Sequence, residues 1–253
     1  MVTPIAFVRS DANHIVTFHM KWEEAVAALL SNRPVPAHGA ASVHGTGLYA
    51  WYDSENALAE FYPRGFAHVD RTRPLYVGLA QKDSLSSRIV GTHMVTTRRS
   101  TLRRSLLALL TESLDLAPGV VPFPKGKYGL EAAFEDRLTN WMAGHLRVTW
   151  IEHPRPGEVE SAVVGNLCPP LNDVYAIGSP YRVAMRSLRS GVWAQAVANR
   201  LVRHDCVHDS NRHRECPSVK EVLGCPLQLP AHTLPTLVGK RPRSCVVVVT
   251  QKP

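Results

Sequence analysis

The sequence predicts an α/β (α+β) protein: a small central, mainly antiparallel three-stranded sheet flanked by helices, followed by a basic C-terminal extension. Three observations predict it. Runs rich in aromatic and β-branched residues, GLYAWY (47–52), PLYVGLA (74–80) and RVTWIE (147–152), read as strands. Capped segments with helical periodicity lie around them. The charge is uneven, with 17 Lys and Arg against 17 Asp and Glu in residues 1–175 and 12 against 4 in residues 176–253. The whole net charge of +8 therefore sits in the last part of the chain.

Taken in order, WEEAVAALLSN (22–32) reads as a short helix that must end before Pro34 and Pro36. GLYAWY and PLYVGLA form the arms of a hairpin joined by a loop too long for a tight turn. Ser84 is a candidate N-cap for SLSSRIVGTHM, and Ser100 and Thr101 open a second helix, TLRRSLLALLTESL, that ends near Pro118. A Pro/Gly/Lys-rich loop follows. EDRLTNWMAGHL (135–146) is helical, RVTWIE is the third strand, and EVESAVVGNL (158–167) is a helix stopped by Pro169 and Pro170. This divides the chain into a helical lead (1–40), a central domain (41–175) and the basic extension (176–253).

Composition narrows the function classes. With 253 residues, 45% apolar and 20% charged, the chain buries a real core. No stretch approaches the roughly 18 to 20 apolar residues of a membrane span, and the first residues lack the apolar run of a signal peptide, so a cytoplasmic protein without membrane contact is expected. Five cysteines with no Cys-x-x-Cys pair point to reduced thiols. The basic extension suits a polyanion, with a solvated tail as the alternative.

Two charged residues lie on apolar helix faces. At about 100° per residue, Val159, Ala162, Val163, Val164 and Leu167 share one broad face, from which Glu160 projects while Glu158 points away. A carboxylate enters such a face only when it is paired or holds a cation. Arg88 likewise lies beside Leu85 and Ile89. The two charges either neutralise each other or frame a phosphate and its metal ion.

These residues belong to six ordered segments: GLYAW (47–51), LYVGLA (75–80), SLSSRIVGTH (84–93), STLRRSLLALL (100–110), RLTNWMAGHLRV (137–148) and VESAVVGNLCPPLN (159–172). Together they resemble the GIY-YIG nuclease superfamily over roughly residues 40–175. The resemblance implies a GIY-YIG nuclease-like fold and catalytic roles for Tyr49, Tyr76, Arg88, His93, Glu160 and Asn172, with Glu160 as ligand of Mg²⁺ or Mn²⁺. It further implies metal-dependent endonucleolytic hydrolysis of DNA, with a non-catalytic nucleic-acid-binding module or regulator as the alternative. Leu79 departs from relatives with lysine directly after the second-motif glycine, and the long extension is also a departure.

Two basic regions are candidates for gripping nucleic acid. Arg98, Arg99, Arg103 and Arg104 cluster at the start of the second helix. Arg182, Arg186, Arg189, Arg200 and Arg203 fall within about 100° of one another on a helical projection. Gly191 interrupts that stretch at a cost of about 1 kcal/mol relative to Ala, so the helix either breaks or forms only against the core or DNA. His204, Cys206, His208, His213, Cys216 and Cys225 tempt a zinc assignment, but the cysteines lack the close pairing of a closed tetrahedral site.

Overall fold

A computed structural model describes residues 20–53, 55–63, 69–70 and 72–208, with side chains to residue 202. Its centre is a sheet of strands β1 (Gly47–Asp53), β2 (Tyr76–Ala80) and a third strand, β5 (Leu146–Glu152), in the order β2-β1-β5. Both pairings are antiparallel, with Tyr49 opposite Gly78 on β2 and Trp150 on β5. All seven residues of β1 are buried, because helices cover both faces of the sheet. Tyr49 and Trp51 face one core with Tyr76 and Val148, while Leu48, Ala50 and Tyr52 face a second core with Val77 and Ile151.

The second core is closed by α1 (Trp22–Ser31) and α4 (Glu160–Leu167). Ala25 and Leu29 of α1 are fully buried, and the Leu29 carbonyl accepts from Tyr52 Oη at 2.9 Å and Thr149 Oγ1 at 3.2 Å. The first core is closed by α2 (Thr101–Leu110), α3 (Ala132–His145) and α5 (Arg182–His208). Ser100 caps α2 by accepting from the Arg103 N–H at 3.0 Å. The expected helix to residue 114 ends instead at Leu110 and continues as turns.

Two further expectations are corrected, and one alternative left open by the sequence is decided. The Pro/Gly/Lys-rich loop contains a hairpin of β3 (Val120–Phe123) and β4 (Lys127–Leu130). Pro122 is tolerated because this two-stranded ribbon is all edge, and Lys125 and Gly126 turn the chain with φ of 62° and 66°. The chain also does not divide at 40 or 175. α1 is part of the sheet's cover, and Met185, Val192 and Ala196 of α5 are core residues of the compact unit that runs to His213. Finally, α5 passes unbroken through Gly191, since packing on α2 and the hairpin outweighs a propensity cost of about 1 kcal/mol. Residues 209–253, which include most of the His/Cys segment and the run SCVVVVTQ, lie outside the described residues.

Candidate active site

The register of β1 and β2 builds the centre of the site. A Cβ at Gly78 would overlap the Tyr49 hydroxyl, and one at Gly47 would strike the Ile151 carbonyl, so both positions require glycine for space. Tyr76, two residues before Gly78, points to the same face of the sheet. Arg88 and His93 come from a segment wound as a π-helix, Ser87–His93. Five residues are about 140° apart on an α-helix, whereas π winding stacks residue i on i+5 and turns both side chains the same way. Glu160 opens α4, one and two turns before its buried Val163, Val164 and Leu167. Glu158 lies before α4 in a 3-10 turn and pairs outward with Arg155 at 2.9 Å. Tyr49, Tyr76, Gly78, Arg88 and Glu160, with Lys82 at the rim, line an open cleft of about 370 Å³.

Burial and Arg88 set the protonation of this cleft. Burial pushes the Tyr49 phenol well above its usual range, Tyr76 adds to this, and the Arg88 guanidinium opposes it. Tyr76 is raised by burial against the same arginine, and so is the Glu160 carboxyl. Behind the cleft, His93 Nε2 lies 2.6 Å from Tyr49 Oη and Nδ1 lies 2.6 Å from Ser100 Oγ. The ring is edge-on to Tyr49, Trp51 and Tyr76, and it is fully buried. Burial, then the charges of Arg88 and Arg103, lower its pKa to about 3. His93 is therefore neutral, accepting at one nitrogen and donating at the other.

Asn172 does not line the cleft. Its Oδ1 accepts from Val77 N–H at 2.9 Å and its Nδ2 donates to Val77 O at 2.8 Å, which satisfies the outer edge of β2 between Tyr76 and Gly78. It is a positioning residue. Arg103 is likewise removed from any surface patch: it is fully buried, pairs with Glu135 at 2.6 Å, and donates to Thr97 Oγ1, Thr139 Oγ1 and the carbonyls of His93 and Glu135. A guanidinium without solvent needs every donor matched, and the helix α3 residues Glu135 and Thr139 do this.

Of the other candidate arginines, Arg98 and Arg99 are exposed and Arg104 is half-buried. The stripe on α5 is not free. Arg182 and Arg186 pair with Asp173 at 3.3 and 2.6 Å, and Arg189 turns inward to Ser105 and the Leu171 carbonyl. Arg200 is exposed, while the Arg203 side chain lies outside the described residues. Three participants escaped the sequence reading. Gly78 was visible only through register, Lys82 only as a cation four residues beyond Gly78, and Ser100 was read solely as a cap although its hydroxyl also holds His93.

Residues 47–189 match the GIY-YIG catalytic domain, which is over half of the chain and takes in Tyr49, Tyr76, Arg88, His93, Glu160 and Asn172. The chain belongs to the GIY-YIG family. Searches of curated proteins and of solved structures each gave no match. The GIY-YIG domain carries a nuclease-type function, and nucleic acid is its substrate class. The match ends at Arg189, inside α5, so the GIY-YIG domain includes the start of the helix that closes its first core. Among the described residues no helix is long and apolar enough to cross a membrane, and no group of three or more His, Cys, Asp or Glu side chains is gathered around a point.

Proposed function

We propose that this GIY-YIG protein is a Mg²⁺- or Mn²⁺-dependent endonuclease that hydrolyses phosphodiester bonds in DNA in the cytoplasm. One observation carries the reading: two tyrosines, an arginine fork and the half-buried carboxylate of Glu160 converge on a single open polar cleft, whose lining also includes the exposed Asp83. The donor set suits a hard cation that keeps most of its waters, because one carboxylate, Glu160, supplies the protein's share and substrate phosphate oxygens can supply more. Such an ion, when bound, supplies charge that stabilises the leaving oxygen.

The protein's own groups do the rest. Arg88 presents a planar set of donors to the phosphate oxygens and opposes the negative charge that grows on them. Tyr76 donates a hydrogen bond to the phosphate or to the attacking water. Tyr49 is held in one orientation by His93, and its protonated phenol positions the water at the cleft floor. Deprotonation of that water through Tyr49 requires the field of Arg88, cation and substrate to overcome the burial that raises the phenol. His93, at about 3, orients Tyr49 as a neutral partner and does not hold a proton at neutral pH. Exposed Arg98 and Arg99 supply sequence-independent contacts to DNA phosphates.

The test is a nicking assay on plasmid and branched DNA with and without Mg²⁺, run beside Glu160→Gln. Metal-dependent strand breaks absent from the variant are expected. Metal-dependent breaks that persist in the variant would reject Glu160 as the ligand, and no breaks with any divalent ion would reject the enzyme.

A further inference from the structure

The β3–β4 hairpin projects a basic tip that the nuclease reading does not use. Lys125 and Lys127 are exposed there, next to exposed Arg98 and Arg99. None of these four makes an ion pair among the described residues, whereas the arginines of α5 near Asp173 do. Lys125 has φ of 62°, in the left-handed region where Gly or Asn is favoured, and a lysine there gives up about 1 kcal/mol.

The hairpin is tied at its base and strands to the elements beside the cleft. Asn199 Nδ2 of α5 donates to the carbonyls of Ala117 and Val120 at 2.8 and 2.9 Å, fixing the base of the hairpin. The Arg98 guanidinium stacks on Phe123, 4.6 Å from its centroid, and Arg104 Nη1 donates to the Arg98 carbonyl at 3.0 Å. Tyr128 of β4 reaches the Arg104 carbonyl at 3.3 Å. Arg104 in turn lies near enough to act electrostatically on both Tyr128 and the cleft residue Tyr76. Positive charge thus continues from Arg88 through Arg104 to Arg98, Lys125 and Lys127.

We infer that the β3–β4 hairpin is a phosphate-gripping prong, which holds the backbone of the nucleic acid beside the scissile bond through Lys125 and Lys127. The inference rests on the nuclease reading. A polyanion with regularly spaced phosphates fits unpaired, exposed cations on a ribbon tied at its base, and contacts to phosphate carry no sequence information. Specificity for a base sequence is not expected from this element.

The experiment measures binding of duplex DNA by fluorescence anisotropy across a salt series, with Glu160→Gln in every protein to prevent cleavage. Lys125→Gln/Lys127→Gln is compared with Lys21→Gln/Arg33→Gln, which removes the same charge from exposed positions at the two ends of α1. Each lost phosphate contact lowers the slope of log affinity against log salt by roughly 0.9, so the hairpin variant should be shallower by roughly 1.8 and bind roughly ten- to thirtyfold more weakly at 0.15 M salt. The α1 variant should keep the parent slope. An unchanged slope in the hairpin variant, or an equal fall in both variants, overturns the prong while leaving wild-type cleavage to support the nuclease. A wild-type protein that neither cleaves nor binds DNA overturns both, and would turn the basic tip toward an acidic protein.

Discussion

At the residue scale, Glu160 and Glu158 stand two residues apart and differ in everything that surrounds them. Glu160→Gln should fold normally yet give no cleavage at any Mg²⁺ concentration, because the amide keeps the shape and loses the anionic oxygen. Glu158→Gln loses only an exposed pair with Arg155 and should cleave like wild type in the same assay. Arg88→Lys should lower single-turnover cleavage by about 10²- to 10³-fold, since a point charge cannot replace a planar fork. His93 makes a pH prediction. Its folded pKa of about 3 lies below its usual 6.5, so between these values the unfolded chain binds the extra proton. The stabilising effect of keeping His93 neutral is complete above about pH 6.5 and is lost as pH falls toward about 3, on the order of a few kcal/mol. Urea unfolding from pH 7 to 4 should show this loss, and His93→Gln should flatten the profile. A parallel profile in the variant would place the titration elsewhere.

At the scale of elements, the site depends on how one edge strand is held. β2 has β1 on one side and, among the described residues, is bound on the other by the Asn172 side chain at Val77. Asn172→Ala leaves a buried N–H and a buried carbonyl unmatched and should cost about 2–4 kcal/mol in denaturant unfolding. Cleavage should fall as well, because Tyr76 and Gly78 flank Val77. Retained stability with lost cleavage would instead give Asn172 a direct part in the chemistry. The STLRRSL and RLTNWM segments gain their meaning here too. They meet as the Arg103–Glu135–Thr139 cluster beneath His93, so one member of the expected basic patch serves the interior. Arg103→Met should cost about 3–5 kcal/mol, since it strands the Glu135 carboxylate.

At the scale of the whole molecule, the charge division along the chain does not coincide with a structural one. A chain cut after Asp173 loses Met185, Val192 and Ala196 from the first core and Arg189 from the Leu171 carbonyl, and should lack a cooperative thermal transition by circular dichroism. A cooperative melt of that fragment would restore the boundary at 175. The sequence by itself determined the three strands of the sheet and four of the helices, because period-2 and 3.6-residue patterns and turn-forming residues act locally, while the resemblance of its ordered segments to a known family singled out Tyr49, Tyr76, Arg88 and Glu160, the groups now found around one cleft. Only the tertiary structure decided that Asn172 clamps β2, that Arg103 and Arg189 point inward, that a proline-rich stretch pairs as a hairpin, and that α5 spans Gly191. Those outcomes depend on which distant groups arrive as partners, and burial makes the partner, not the residue type, decide where a charge can sit.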